Sequence, residues 1–314
     1  MSSEHRPLVL KSSLRSWIRD VDPHIAGPAL VELSTLITDT TGSTAEVGTL
    51  KLYALAVLKD EADIIEQTLR HALGFCDAVV VLDNGSTDGS WAIVESLAAE
   101  FPGHLIPFGV DTRQFSDNMR HLMYDQLRTQ LAPTDWFMQL DADEFLQEDP
   151  RRFLEGCTAR GIGRVRTWQA QFQLTDLDLI EFDAGGDDRT RPIAQRRKYF
   201  VVDWREDRFW QNEPDREWIG ERTAPDFGAK IARRSLVNRH YQNRDPMQVQ
   251  ARLDARNDAR YFSHVAKISS QEWRSVVASA SDLRKWEPGT PLKPLPWRYY
   301  TKRIRERLGR VPGG

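Results

Sequence analysis

The chain has 314 residues, of which 40 % are hydrophobic and 28 % charged, and its 43 Lys and Arg against 46 Asp and Glu leave a formal charge of −3. That composition belongs to a soluble globular protein and excludes a mainly disordered chain. A near-neutral total also argues against a dedicated nucleic-acid binder, and the only cysteines, Cys76 and Cys157, are too few for a disulfide framework or a Cys-rich zinc site. The charge is uneven. Between Lys293 and Gly314 stand seven basic residues and one acid, Glu306, a net +6 against −9 for the rest.

In chain order, Met1–Ser12 contains Glu4 and Arg6 with no apolar core, unlike a signal peptide. Ala29–Ile37 has helical spacing, and residues 1–50 read as an N-terminal extension. From Leu52 the pattern becomes regular. Leu52–Leu58 (LYALAVL) is a continuous apolar run of strand length, as expected of a strand buried on both faces and far short of a membrane span. Ala62–Leu73 has helical periodicity, Ala78–Leu82 (AVVVL) is a β-branched strand, and Asp83–Gly89 has turn chemistry. Trp91–Phe101 is helical, Leu105–Phe108 a short strand, Ser116–Leu131 a helix and Trp136–Leu140 a strand that runs into Asp141-Ala142-Asp143-Glu144. Beyond Arg164 the alternation fades. Val165–Leu174 alternates like a strand with one polar face, Asp183–Arg191 is a polar loop, Gln195–Arg208 is basic and aromatic, and Pro246–Ala259 is helical.

Strands alternating with helices predict an α/β fold with a mostly parallel sheet and helices on both faces. Ligands bind such sheets outside the carboxyl ends of the strands. Two polar clusters, Asp83–Gly89 and Asp141–Glu144, each follow an apolar strand, so they are expected on one edge of one sheet. Asp141 and Asp143, two positions apart, can approach a hard divalent cation such as Mn²⁺ or Mg²⁺, which favours oxygen ligands and keeps positions open for substrate. Asp83 can accept hydrogen bonds from a base or ribose. A solvated acidic turn and a capped loop are the alternatives to each.

Taken together, Lys59-Asp60-Glu61, the segment Val79–Asp88 and Asp135–Phe145 resemble the family 2 glycosyltransferases of GT-A (Rossmann-like) fold, the last segment resembling that family's DxD motif in its "DADEF" form. The match runs from about Lys51 to Leu146. It departs at Asp60, where the family usually has Asn. The resemblance implies transfer of a hexose-type sugar from a UDP- or GDP-sugar to a saccharide or lipid-linked acceptor hydroxyl, as in building cell-surface polysaccharide, with inversion. It also implies nucleotide-sugar contacts at Lys59, Glu61, Asp83, Asn84, Asp141 and Ala142, and Mn²⁺ or Mg²⁺ at Asp141 and Asp143.

Farther on, His240-Tyr241 followed by Arg244, Gln248 and Arg252 resembles a segment of many relatives. It offers His240 as a third metal ligand and Arg244 and Arg252 as phosphate contacts, against a structural histidine and a solvated helix face. Arg196, Arg197 and Lys198 are a second candidate phosphate clamp. The resemblance implies a base that deprotonates the acceptor between the DxD motif and His240, where the candidates are Asp203, Asp207, Asp215, Glu217 and Glu221, with Glu217 and Asp215 preferred. The expected organisation is an N-terminal extension (1–50), a GT-A domain (51–262) and a C-terminal helical, basic tail (263–314). Trp297, Tyr299 and Tyr300 beside the tail's cations suit peripheral contact with the inner face of a membrane from the cytoplasm, a solubilising terminus, or packing on the acidic body. Rival functions are an inactive nucleotide-sugar binding protein, a phosphohydrolase, for which Phe145 stands in the wrong place, and a nucleotidyltransferase, for which Lys59-Asp60-Glu61 is the wrong loop.

Overall fold

The computed structural model describes residues 50–115, 119–218, 224–225, 227–257 and 272–294. The Ala29–Ile37 helix, most of the basic tail and Glu221 therefore lie outside the described residues.

A single mixed sheet holds the described strands. Its parallel half runs β3 (Leu105–Val110), β2 (Ala78–Asp83), β1 (Leu52–Leu58) and β4 (Trp136–Asp141). β7 (Tyr199–Gln211) then pairs antiparallel to β4, and β6 (Arg164–Gln173), β8 (Leu236–His240) and β5 (Glu144–Leu146) follow. β9 (Arg284–Lys285), from the segment expected as a tail, pairs with β7 at Tyr199 and Phe200.

The apolar runs explain the parallel half. Every residue of β1 and β2 is buried, and the two-residue period of a strand sends alternate side chains into two cores. Leu52, Ala54, Ala56 and Leu58 meet α1 (Ile65–Leu73), α2 (Ser90–Glu100) and α4 (Arg151–Thr158) through Ile65, Leu69, Val94, Leu97 and Leu154. Tyr53, Leu55 and Val57 meet α3 (Arg120–Leu127) through Met123, Tyr124 and Leu127. Helices on both faces satisfy strands apolar on both sides. The antiparallel half has its own core of Phe145, Phe172, Phe200 and Tyr241.

The boundaries of β1, β2, β3, β4 and β6 agree with the sequence expectation to within a residue or two, β5, β7, β8 and β9 are not among the expected strands, and the helices agree less well. α1 begins at Ile65 rather than Ala62, after a turn closed by the Ile64 and Ile65 amides on the Glu61 carbonyl, and the Glu61 and Ala62 amides donate to Ser90 Oγ (2.8 Å) and Asp88 Oδ2 (2.8 Å). The helix read at Ser116–Leu131 is confined, within the described residues, to Arg120–Leu127. α5 (Asp176–Asp183) precedes the polar loop and was not anticipated. It starts at a capping box in which Thr175 and Asp178 satisfy each other's amides. After the short α6 (Ile193–Arg196), α7 (Pro246–Asn257) follows β8. Among the described residues no helix is long and apolar enough to cross a membrane.

Candidate active site

β1 lies between β2 and β4, with Leu58 opposite Asp83 and Val57 opposite Asp141. The two polar clusters therefore stand at the carboxyl edge on the two strands that flank β1, as the sheet rule requires.

The loops after β1 and β2 are laced together. Lys59 Nζ donates to the carbonyls of Asn84 (3.1 Å) and Gly85 (3.0 Å), and the Asp60 amide donates to Ser86 Oγ (2.9 Å). Thr87 N returns a bond to Asp60 Oδ1 (2.7 Å). Asp60 has a left-handed backbone (φ 53°), a conformation that Asn and Asp adopt most readily among residues with a Cβ. The departure from the family's usual Asn thus preserves what the turn demands. Gly85 (φ 76°) needs the same freedom, and a Cβ there would sit 3.2 Å from Thr112 Cγ2.

Asp83 is 1 % exposed. Its Oδ1 accepts from the Ser86 amide (2.6 Å), while Oδ2 is buried with no hydrogen-bond partner among the described residues. Burial raises its pKa despite the Ser86 bonds. Asn84 uses its amide nitrogen on the carbonyls of Asp111 (2.6 Å) and Arg113 (2.9 Å), leaving Oδ1 buried and unpaired in the same sense. Buried polar atoms without partners are rare in native proteins and ask for a cause, such as a ligand.

At the end of β4, Asp143 is buried, and its Oδ1 stands 3.3 Å from His240 Nε2. The β5–β8 register, with Glu144 opposite His240, produces this approach. Gln171 Nε2 lies 2.8 Å from His240 Nδ1 and orients the ring. Although burial favours the neutral acid, His240 and the nearby Arg252 and Arg244 hold the Asp143 carboxyl far below the usual range. Burial likewise opposes charge on His240, and Asp143 prevails and raises its pKa.

Asp141 is engaged differently. Arg120 of α3 holds Oδ1, and Arg208 of β7 holds Oδ2 at 2.8 Å. Burial opposes ionisation, yet the two guanidinium groups lower its pKa to about 2. Each Asp141 oxygen is thus held by a guanidinium group, while the side chain stays 35 % exposed. Arg208 also donates to Glu144 Oε1 (2.6 Å), which Gln169 approaches at 3.1 Å. Glu144 Oε2 is buried and unpaired among the described residues, and burial lifts this carboxyl to about 7.

Arg244 is fully buried, pairs with Glu61 and with Asp63 (2.7 and 2.9 Å), and has Nη1 3.7 Å from Asp143 Oδ2. It ties the loop after β1 to Asp143 and presents no exposed face to a phosphate. Burial raises the Glu61 carboxyl to about 7 against the pull of Arg244. Gln248 accepts from the Arg244 amide (3.0 Å), and Arg252 donates to the Gln242 carbonyl (2.7 Å). Ala142 offers its carbonyl to Thr68 Oγ1 (2.5 Å). Arg196 and Arg197 are buried against Asp187 rather than open to a ligand.

The preferred bases are not brought to this edge. β7 runs antiparallel to β4 and places Gln211 opposite Trp136, so the chain after it lies at the amino edge. There Asp215 is exposed and Glu217 pairs with Arg128 (3.1 Å). Asp207 pairs with Arg164 (2.5 Å) and Arg166 (3.1 Å). Sequence reasoning missed Arg120, Arg208, Asp63 and Gln171, and gave Glu144 no role within its cluster. The one available signal was the two-residue spacing of Trp204, Glu206 and Arg208 on a strand, which puts all three on one face.

The site was also tested for a divalent cation. Adjacent ligands on a cation with bonds of roughly 2.1 Å lie about 3 Å apart, close to the Asp143–His240 separation. Among the described residues no group of three or more His, Cys, Asp or Glu forms a metal site.

No family model matches the chain. By sequence, a curated relative, an uncharacterized glycosyltransferase of Rickettsia bellii, is 29 % identical over 105 residues, which are 33 % of this chain and 32 % of the relative. A third of the chain thus resembles a glycosyltransferase, and the match spans about a third of that relative's length. Among solved structures, the mannosyltransferase PcManGT of Pyrobaculum calidifontis, in complex with GDP-Man and Mn²⁺, overlaps 75 % of this chain and 71 % of its own at 13 % identity and a TM-score of 0.38. GalNAc-T7 with UDP, GalNAc and Mn²⁺ overlaps 75 % of this chain and 53 % of its own, at 12 % identity and a TM-score of 0.38.

Proposed function

We propose that this chain is a GT-A glycosyltransferase that moves a sugar from a nucleotide-sugar to an acceptor hydroxyl, with Mn²⁺ or Mg²⁺ and with inversion. The observation that carries the proposal is the placement, on one carboxyl edge and on the two strands that flank β1, of Asp83 with its unpaired buried oxygen and of the Asp143–His240 pair. In this reading Asp83 and Asn84 receive the nucleoside, their unpaired oxygens accepting from ribose hydroxyls or base N–H groups. Asp143 Oδ1 and His240 Nε2 hold the cation, and Gln171 fixes the histidine ring, as partners of metal-bound histidines do. Once bound, the cation neutralises charge on the departing diphosphate. Arg120 and Arg208 hold Asp141 ionised and fixed at the strand end. Arg244, held by Glu61 and Asp63, sets the distance between the loop after β1 and Asp143. The DxD resemblance of Asp141-Ala142-Asp143 and the partial match to a glycosyltransferase support the same reading.

The test is a thermal-shift screen of UDP- and GDP-sugars with and without Mn²⁺, followed by donor turnover. A ligand that binds the folded state raises its melting temperature by mass action. A cation-dependent rise that Asp143→Ala abolishes supports the reading, and no rise with any nucleotide-sugar overturns it.

A further inference from the structure

β7 is 13 residues long and pairs with β4 only through Phe209, Trp210 and Gln211. Its preceding residues run past the carboxyl end of β4 while still paired with β6. On that overhang Trp204, Glu206 and Arg208 share one face. Arg208 joins the face to the candidate site, because its Nη2 lies 2.8 Å from Asp141 Oδ2, 2.6 Å from Glu144 Oε1 and 2.7 Å from Glu206 Oε2. The other Glu206 oxygen accepts the Trp204 indole N–H. A continuous polar line therefore leads from the strand-end carboxylates, through one guanidinium, to a carboxylate and then to an indole.

The two outer members are open to solvent where the inner ones are not. Trp204 is 40 % exposed and the Glu206 side chain 39 %, against 7 % for Arg208. An exposed indole whose N–H is already bonded is held in one orientation and shows its apolar surface. Flat apolar surface beside an ionised carboxylate is what a pyranose ring recognises: its C–H face stacks and its hydroxyls donate. Gln169, opposite Trp204 in the β6–β7 register, adds a buried Oε1 with no partner among the described residues.

We infer that Trp204 and Glu206 form the acceptor subsite, Trp204 stacking on a pyranose ring of the acceptor and Glu206 taking the proton from the attacking hydroxyl. The inference rests on the glycosyl-transfer reading above. The acceptor oxygen forms a bond to the anomeric carbon of the donor sugar. The bond from that carbon to the diphosphate oxygen breaks, its electron pair leaving with the diphosphate, and the hydroxyl proton passes to Glu206. An ionised carboxylate offers about four lone-pair sites, so the bonds to Trp204 and Arg208 leave room for the acceptor O–H. Arg208 tethers Glu206 to the donor side. The ligand class is a saccharide, presented free or on a carrier.

Two measurements on the full chain test this. The first is saturation-transfer NMR with methyl α- and β-pyranosides of glucose, galactose and mannose, in Mg²⁺ and nucleoside diphosphate. Ring-proton saturation of at least one glycoside, lost in Trp204→Ala, is expected. No saturation of any glycoside, or saturation that survives Trp204→Ala, overturns the subsite. The second is donor hydrolysis, in which water stands in for the acceptor. Glu206→Gln, which can still accept the indole N–H, is expected to lower kcat by ~10²-fold or more with donor KM unchanged. An unchanged kcat removes the base role. An unaltered nucleotide-sugar thermal shift in both variants shows that fold and donor site are intact. If the wild-type chain itself gives no such shift, the glycosyl-transfer reading fails, which is a different result from either failure above.

Discussion

Two buried ionic clusters lie within a few residues of each other, and they are built to opposite specifications. Under α6, Asp187 is 2 % exposed and accepts from Arg196 at 2.8 and 3.1 Å and from Arg197 at 2.5 and 3.3 Å. Both of its oxygens are saturated by guanidinium forks. At the carboxyl edge of β1, β2 and β4, acids outnumber the places where cations can reach them. Asp83 and Glu144 each keep a buried oxygen with no partner among the described residues, and Asp143 faces a histidine instead of a fork. Burial and charge are common to both clusters. What separates a candidate site from a structural staple is unsatisfied capacity at a strand end.

The sharpest way to break that comparison is to remove one acid from each cluster. Asp143→Ala is expected to reduce cation-dependent donor turnover of the folded fraction by ~10³-fold, the scale attached to a lost electrostatic stabiliser, and also to lower the urea midpoint, because His240 and Arg244 lose a buried partner. Asp187→Asn should act on stability alone. It leaves two buried guanidinium groups undercompensated, which costs about 3–5 kcal/mol, read as a lower urea midpoint, with turnover of the folded fraction retained. Equal effects of the two substitutions on both readouts would erase the distinction.

A smaller effect concerns pH. Burial works against the Asp187 carboxylate, but the bonds from Arg196 and Arg197 lower its pKa from 3.8 to about 2. A depressed folded value means that this stabilisation is complete above the unfolded pKa and is lost as pH falls through about 2. It amounts to roughly 2 kcal/mol and should be visible as a steeper loss of stability between about pH 4 and 2 than Asp187→Asn shows. The smallest expected effect is at Glu217, half-exposed and paired with Arg128 at the amino edge. Glu217→Gln should leave turnover within about twofold and stability within about 0.5 kcal/mol. A large loss of turnover would return it to the role of base.

The sequence made the parallel half legible because each buried strand writes itself as a short apolar run. Leu52–Leu58, Ala78–Asp83 and Trp136–Asp141 needed no tertiary information, and the sheet rule then placed Asp83 and Asp143 on one edge. The cations that organise the site were not legible. Arg120 reaches Asp141 from α3, Arg208 reaches it from a strand 67 residues later, and Arg244 meets Glu61 across 183 residues. No local pattern records such pairings. The resemblance directs the search for a base to the stretch between the DxD motif and His240, but along that stretch β7 carries the chain from the carboxyl edge back to the amino edge, leaving Trp204 and Glu206 behind and taking Asp215 and Glu217 away. α5 shows the converse, since Thr175-Asp176-Leu177-Asp178 is a helix-start signature in the sequence whose capping bonds the structure then displays.

The lacing of the loops after β1 and β2 has a kinetic consequence. Lys59 binds the Asn84 and Gly85 carbonyls, Asp60 binds Ser86 and Thr87, and Asp88 binds the Ala62 amide, so the two turns brace each other through the protein's own bonds. An arriving molecule need not wait for these turns to organise, and encounter here should be limited by diffusion and charge rather than by a rearrangement. Any slow, gated step in the working cycle then belongs to other parts of the chain.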